Sequence, residues 1–230
     1  MGRTKQPLST ERIVGAALAC LDEVGFTGFS LRGVARALGV FPAALYWHVP
    51  GGRDGLLAAA AGEAIRDILP SGATALSWQD WLRALFHNYR TAVRAHPNVA
   101  PVLGSQLLSN AGIDLDLIEA LLATLTRAGF AGASLVGAYN VVIAAMVGFT
   151  TLEFAPLPAD STEPWQETLR NRLATVDPAR HPTLAAHLPA MTNRAFVVRW
   201  HNGLDAPLDD AFATYVETVI GGLDRLPRWG

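Results

Sequence analysis

Residues 31–49 read LRGVARALGVFPAALYWHV, and this stretch decides the fold of the N-terminal part of the chain. Apolar residues over 31–38 recur at the i, i+3, i+4 and i+7 positions of one helical face, and Gly39 ends that pattern. Pro42 suits the first turn of a second short helix, which ends near His48. Two short helices joined by a tight glycine-containing turn have the spacing of a helix-turn-helix.

A longer helix precedes this pair and completes a three-helix unit. Its N-cap is predicted at Ser9 or Thr10 and its end at Glu23 or Val24, with Gly25 as the terminator. A small core shared by the two short helices would let the third helix stand out from the surface and fit a major groove about 12 Å wide. The residues available for that core are Leu31, Val34, Leu38, Val40 and Leu45.

Positive charge is concentrated in the first 53 residues, although the whole chain carries a net charge of −2. A local excess of this kind is what contact with nucleic acid requires when the total charge does not favour it, but a solvated surface gives the same pattern. The segment has three acidic residues against six basic ones, which are Arg3, Lys5, Arg12, Arg32, Arg36 and Arg53.

Residues 13–57 resemble the DNA-binding domain of the TetR family of one-component repressors. The resemblance is carried by the stretch quoted above, followed by a basic residue and by Leu56 and Leu57. It implies mainly backbone contacts or support from Trp47, His48 and Arg53, with further phosphate contacts from an arm containing Arg3 and Lys5. It implies base or groove contacts from Arg32, Pro42, Ala43, Ala44 and Tyr46.

Two features depart from the family pattern. The reading helix begins Phe41-Pro42-Ala43-Ala44, without an amide or hydroxyl, so base reading would rest on Arg32, Tyr46 and apolar contacts with thymine methyl groups. The following loop, 50–52, lacks the family's usual lysine, and its phosphate contact is lost or moves to Arg53. These departures leave one alternative open, a helical ligand-binding or adaptor protein that does not bind DNA.

The rest of the chain is also predicted to be helical, which makes the fold class all-α. Half of the residues are apolar, only 17% are charged, and no stretch alternates with period two as an exposed strand would. This surplus of apolar surface suggests burial against a second subunit. Further helices are predicted at about 54–70 with Asp54 as a possible cap, 77–94, 99–109, 114–128, 133–153, 164–174 and 208–225, with proline-rich connections at 155–163 and 175–193.

The sequence lacks the residues that several classes of function require. The single Cys20 allows neither a disulfide nor a cysteine zinc site, and the six histidines include no i, i+3 or i, i+4 pair, so no metal or cofactor is expected. Nucleophile motifs and glycine-rich phosphate loops are also missing, which argues against an enzyme.

The uncharged stretch 128–152 is long enough to cross a membrane. Glycines, threonines, Tyr139 and Asn140 interrupt it, and arginines are not clustered at either end, so a helix buried by protein is the preferred interpretation. The N-terminal residues have no apolar segment typical of a secretory signal, and a cytoplasmic protein is expected.

The C-terminal part resembles the ligand-binding and dimerisation domain of the same family more loosely, through SWQDWLRALFHNYRTAVRAHP, LLATLTRAGF and the end of 133–153. We therefore divide the chain into a helix-turn-helix domain (1–53), a connecting helix (54–70) and a ligand-binding and dimerisation domain (71–230). The resemblance implies a homodimer that binds an operator and releases it when a small hydrophobic or aromatic effector binds. The polar-tipped candidates for the effector pocket are Trp81, His87, Asn88, Tyr89, Asn140 and Glu153. The candidates for the dimer interface, on 133–153 and 208–225, are Val142, Ala145, Met146, Phe149, Phe212, Val216, Val219 and Leu223.

Overall fold

The computed structural model describes residues 7–71, 76–106, 114–158 and 165–227. Within these ranges the regular structure is entirely helical, which confirms the all-α prediction. The α-helices in chain order are α1 (Thr10–Gly28), α2 (Leu31–Leu38), α3 (Ala43–Tyr46), α4 (Gly52–Ala64), α5 (Trp78–Ala95), α6 (Ala100–Gln106), α7 (Leu115–Arg127), α8 (Gly132–Glu153), α9 (Trp165–Ala174), α10 (Pro182–Met191) and α11 (Asp209–Arg225), with a 3-10 turn at Pro97–Val99 between α5 and α6.

Local capping signals set the ends of the first helices. The hydroxyl of Ser9 accepts a hydrogen bond from the Arg12 amide at 3.3 Å, and the hydroxyl of Ser30 accepts one from the Gly33 amide at 3.2 Å. Gly25 has φ +71° and interrupts α1 where the sequence predicts its end, although one more turn follows as far as Gly28. Gly39 ends α2 in the left-handed conformation, which a glycine adopts without steric cost.

The first four helices share a compact core. α1 packs against α2 and α4, and α4 contributes Leu56 and Leu57 to this core. The remaining buried positions lie on the predicted apolar faces and include Ile13, Ala17, Leu21, Phe29, Val34 and Leu45. Burial of this shared face leaves the opposite side of α2 and α3 free for a partner.

The larger C-terminal part is a helical bundle in which α8 is central. It packs against α5, α6, α7 and α11, and α5 packs in turn against α7 and α11. α8 is the one described helix long and apolar enough to cross a bilayer, and 33% of its most apolar window is buried within this single chain. α9 and α10 contribute no buried residue, so they lie at the margin of the bundle.

The two parts meet where α1 approaches the 3-10 turn after α5. The side-chain amide of Asn98 donates hydrogen bonds to the backbone oxygens of Leu21 and Asp22, at 3.1 Å each. Nδ1 of His96 lies 2.8 Å from a carboxylate oxygen of Asp22. These contacts attach the bundle to the last turns of α1, and α4 also packs against α6.

Two predicted elements differ from the structure. The connection predicted over 175–193 contains α10, which has Pro182 in its first turn, where a missing amide costs little, and Pro189 inside the helix near its end. α4 starts at Gly52 and ends at Ala64, so Asp54 lies inside its first turn and does not cap it. The domain boundaries remain a prediction, since α4 is part of the N-terminal core while also contacting α6.

Candidate DNA interface and effector region

The helix-turn-helix presents an aromatic surface around α3. Leu45 and Val49 are buried on its inner side, whereas Phe41 is 84% and Trp47 is 90% exposed. Tyr46 is also exposed. Because the core is complete without these three rings, their exposure indicates a surface made for a partner rather than misplaced core residues.

The other predicted contacts in this region surround the aromatic surface. Ala43 is exposed, while Pro42, Ala44 and His48 are half-buried. The amide of Ala44 bonds to the oxygen of Phe41, and the turn continues beyond α3 through bonds from His48 and Val49 to the oxygen of Leu45. The reading helix therefore has only four residues of regular α-helix, with tighter turns on both sides.

Two cations lie beside this surface on α2. Arg32 and Arg36 are both exposed, and their i, i+4 spacing puts them on one helical face. Neither has an ion pair within the described ranges. Arg36 was not among the predicted DNA contacts, although its i, i+4 spacing from Arg32 could have indicated that both lie on one face. The arm with Arg3 and Lys5 lies outside the described residues.

Arg53 binds within the fold beside the helix-turn-helix. Its Nη2 donates to the oxygen of Phe26 at 2.7 Å and its Nε donates to the oxygen of Phe29 at 3.2 Å. The guanidinium also lies over the Phe26 ring, 5.0 Å from its centroid. Arg53 thereby fastens α4 to the α1–α2 connection, and its phosphate contact stays a prediction.

Two of the six predicted effector residues are buried on the inner face of α5. Trp81 and Tyr89 are each 1% exposed, and the indole Nε1 and phenol oxygen have no hydrogen bond of acceptable geometry within the described ranges. Burial raises the pKa of the Tyr89 phenol, an effect that the Thr150 hydroxyl partly offsets. Buried polar atoms of this kind are available to a bound molecule.

The other four predicted effector residues have different surroundings. The Asn88 amide donates to the oxygen of Ile68 at 3.0 Å, which ties α5 to the segment after α4. His87 and Asn140 are exposed. Glu153 is fully buried, and both of its carboxylate oxygens accept hydrogen bonds from Arg90; its effector role stays a prediction. Within the described ranges, no three His, Cys, Asp or Glu side chains are grouped so that they could hold a metal ion.

The residues predicted for the dimer interface lie mostly on the inner faces of α8 and α11. Seven of its eight residues are buried inside the single chain, where they pack α8 and α11 against each other and against α5; these are Val142, Ala145, Met146, Phe149, Phe212, Val216 and Leu223. Val219 is partly buried against the same core. α8 is apolar on every side, so its periodicity carried no information about which face turns outward.

The outer faces of α8 and α11 are rich in small and apolar residues. On α8, Val136 is 59%, Val141 is 42% and Leu152 is 55% exposed, with Gly137 and Ala144 also exposed between them. On α11 an open groove is lined by Ala213, Thr214, Glu217, Thr218, Gly221, Gly222 and Arg225. Small residues permit close approach of a second helix pair, and these faces are the exposed parts of the helices predicted to form the interface.

Comparison with known proteins agrees with this two-part organisation. Residues 13–60 match the tetR family of bacterial regulatory proteins, and residues 71–225 match the tetracyclin repressor-like C-terminal domain. The class C tetracycline repressor protein of Escherichia coli is 28% identical over 229 residues, covering 95% of this chain and 92% of that protein. A helix-turn-helix-type transcriptional regulator of Saccharopolyspora erythraea is 31% identical over 196 residues, covering 82% of this chain and 78% of the relative. A solved TetR transcriptional regulator of Streptomyces coelicolor superposes with a TM-score of 0.67 at 28% identity, covering 95% of this chain and 98% of that structure.

Proposed function

The chain belongs to the tetR family of bacterial regulatory proteins and is a ligand-responsive transcriptional repressor, and from this premise we propose how its residues carry out that function. It binds a palindromic operator as a homodimer in the cytoplasm, and it leaves the operator when a small hydrophobic or aromatic effector enters the helical bundle. The observation that supports this most directly is the exposed aromatic surface of α3 together with Arg32 and Arg36 on α2, which have no ion pair within the described ranges.

In this proposal, two kinds of side chain contact DNA: positively charged ones on α2 and aromatic ones at the end of the helix-turn-helix. Arg32 and Arg36 provide positive charge for phosphates or guanine edges, while Tyr46 and Trp47 have polar tips that can bond phosphate oxygens. Arg53 supports this surface from behind by holding α4 against the α1–α2 connection. This division explains how DNA binding survives without the family's loop lysine.

Two copies associate through the outer faces of α8 and α11, so that each subunit contributes a pair of helices to a four-helix interface. Dimerisation has a geometric purpose, since two reading helices about 34–36 Å apart meet successive major grooves. The domain division 1–53, 54–70 and 71–230 remains a functional proposal, with α4 as the element shared by both parts.

The effector occupies the space next to the inner face of α5, where Trp81 and Tyr89 offer polar atoms among apolar neighbours. The signal passes to the DNA-binding part through α6 against α4 and through Asn98 against α1. A displacement at this junction changes the separation of the two reading helices and thereby abolishes operator binding.

The test begins with full-length protein and a library of random DNA duplexes. Selection should enrich a palindromic duplex, and fluorescence anisotropy should show binding whose affinity falls steeply as salt rises, with a slope of about 0.9 per phosphate contacted. Arg32→Ala should weaken binding, whereas Arg180→Ala removes the same charge from the exposed α9–α10 connection and should not. If no duplex is enriched and binding does not depend on salt, the adaptor alternative replaces the repressor.

The effector part has its own test. Planar aromatic compounds are screened for release of the selected duplex, and each active compound is then measured against Trp81→Phe and Tyr89→Phe. Tyr89→Phe removes the phenol oxygen and keeps the ring, and Trp81→Phe replaces the indole with a smaller ring that has no N–H, so both should weaken effector release while leaving operator affinity unchanged. Unchanged responses to every active compound in both variants would contradict this position of the effector.

A further inference from the structure

Phe41 is a large exposed ring without a polar atom on the proposed DNA-facing surface. It is 84% exposed at the start of the α3 turn, and the left-handed turn at Gly39 separates it from α2. The core on the inner side of this turn is made by Leu45 and Val49, so Phe41 has no packing function there. A large exposed ring at this position needs a partner to bury it.

The residues next to Phe41 limit which chemical groups of a partner this part of the surface can recognise. Pro42, Ala43 and Ala44 have no side-chain donor or acceptor, and the amides of Ala44 and Leu45 are already bonded within the turn. Residues 41–44 therefore cannot recognise the hydrogen-bonding edges of bases through their side chains. The 5-methyl group of thymine is the apolar group that base pairs display in the major groove.

The surrounding charge selects DNA over a protein partner. Arg32 and Arg36 lie on the exposed face of α2, in the helix that leads into this turn, and have no ion pair within the described ranges. A phosphate backbone on either side of the groove satisfies these cations while the groove floor meets Phe41.

We propose that Phe41 is a specificity-determining residue that reads the 5-methyl group of a thymine at a fixed position in each operator half-site. This inference rests on the proposed function and identifies which chemical group of the DNA the apolar surface recognises. Burial of one methyl group against the ring changes affinity about fourfold per half-site, or roughly fifteenfold for a palindrome bound by two subunits.

The experiment uses the full-length protein and the duplex enriched by selection. Each thymine is replaced in turn by deoxyuridine, which removes the methyl group and keeps every hydrogen-bonding atom, and binding is measured by fluorescence anisotropy. For the wild-type protein, we expect one or two thymines per half-site at which this replacement weakens binding about fourfold.

Variants of Phe41 test whether its side chain causes the dependence of binding on the thymine methyl group. Phe41→Ala changes both subunits, so it should bind the thymine duplex roughly fifteenfold more weakly, as the wild type binds a duplex with deoxyuridine in both half-sites, and it should be indifferent to replacement at that position. Phe41→Leu should keep part of the methyl dependence. Leu115→Ala removes a ring-free apolar side chain that is 72% exposed at the start of α7, and it should behave as wild type.

The outcomes separate the two proposals. If the wild type binds thymine and deoxyuridine duplexes equally at every position, or if Phe41→Ala keeps full methyl dependence, the inference about Phe41 is overturned while DNA binding stands. If selection enriches no duplex, DNA binding itself fails. Circular dichroism of Phe41→Ala checks that its core is intact, as expected for a change at an exposed position.

Discussion

Arg90 on α5 and Glu153 at the end of α8 form a two-point ion pair inside the bundle. Nε of Arg90 lies 2.8 Å from Oε2 of Glu153, and Nη2 lies 2.6 Å from Oε1. Oε1 also accepts a hydrogen bond from the Leu208 amide at 3.0 Å, and Nη2 lies 2.8 Å from a carboxylate oxygen of Asp209. The hydrogen bonds from Arg90 to Glu153 raise the pKa of the guanidinium. This pair joins α5, α8 and the start of α11.

The two halves of this pair should respond unequally to substitution. Arg90→Met leaves a fully buried carboxylate without its cation and should cost about 3–5 kcal/mol of unfolding free energy. Glu153→Gln should cost less, because Arg90 retains Asp209. Urea denaturation at one fixed protein concentration measures both, and the double variant Arg90→Met/Glu153→Leu should recover part of the loss. Losses under about 1 kcal/mol in both single variants would contradict a structural pair.

Arg53 and Arg32 should show opposite phenotypes. Arg53→Ala removes two charge-assisted hydrogen bonds to backbone oxygens and should lower stability by about 2 kcal/mol. Arg32→Ala changes an exposed side chain and should leave stability within about 0.5 kcal/mol while weakening DNA binding. Thermal unfolding and anisotropy measure the two effects separately. If the two variants were equally stable, Arg53 would not be holding α4 against the α1–α2 connection.

The exposed contact between Arg83 and Glu217 should make stability depend on pH in the acid range. Nε and Nη2 of Arg83 lie 2.6 and 2.7 Å from the Glu217 oxygens, and this contact lowers the pKa of Glu217. A lowered folded pKa means that the stabilisation is complete above the unfolded value and is lost as pH falls through the folded value. Arg83→Met should therefore have a lower Tm than wild type from about pH 8 to 5, and the gap should close below about pH 4.

The matched control for that titration is Arg180→Met, which removes a charge from an exposed connection and should give no gap at any pH. High salt should narrow the Arg83 gap at neutral pH, because this pair is solvent-exposed. A gap that persists unchanged down to about pH 3 would mean that Arg83 acts through packing rather than charge.

A charge on the outer face of α8 should separate the subunits. Ala144 is exposed there, and Ala144→Glu puts one carboxylate from each subunit into the proposed four-helix interface. Burial of unpaired charge costs several kcal/mol, so the dimer Kd should rise by about a hundredfold or more, and operator affinity should fall with it. Sedimentation velocity measures the assembly. Ala186→Glu on the exposed side of α10 is the control and should remain dimeric.

Much of the fold follows from signals that lie within a few residues of one another. Ser9, Ser30 and Ser77 cap α1, α2 and α5, because a hydroxyl can satisfy an amide three residues ahead in any tertiary setting. Gly39 ends α2 for an equally local reason. The helix-turn-helix and the all-α class could therefore be predicted from the sequence alone. α10 was not predicted because prolines are tolerated only in particular turns of a helix, and the sequence did not indicate which turns those would be.

Other properties of the molecule depend on contacts between distant residues. Local sequence does not indicate that Glu153 would meet Arg90, or that Gly203 would lie so close to Glu153 that a Cβ atom there would collide with the Glu153 Cγ. The sequence predicts Arg53 only as a residue near DNA, and the fold alone shows that the oxygens of Phe26 and Phe29 lie within hydrogen-bond distance of it.

The sequence by itself determined where α2 begins and ends, and that two helices form a helix-turn-helix, because capping and periodicity act over one or two turns. Only the tertiary structure decided which face of α8 is buried. This helix is apolar on all sides, and its neighbours α5, α7 and α11 take Val142 and Phe149 inward, which leaves Val141 and Ala144 exposed. When every face is apolar, the hydrophobic effect favours burial but does not choose the partner; packing geometry makes that choice.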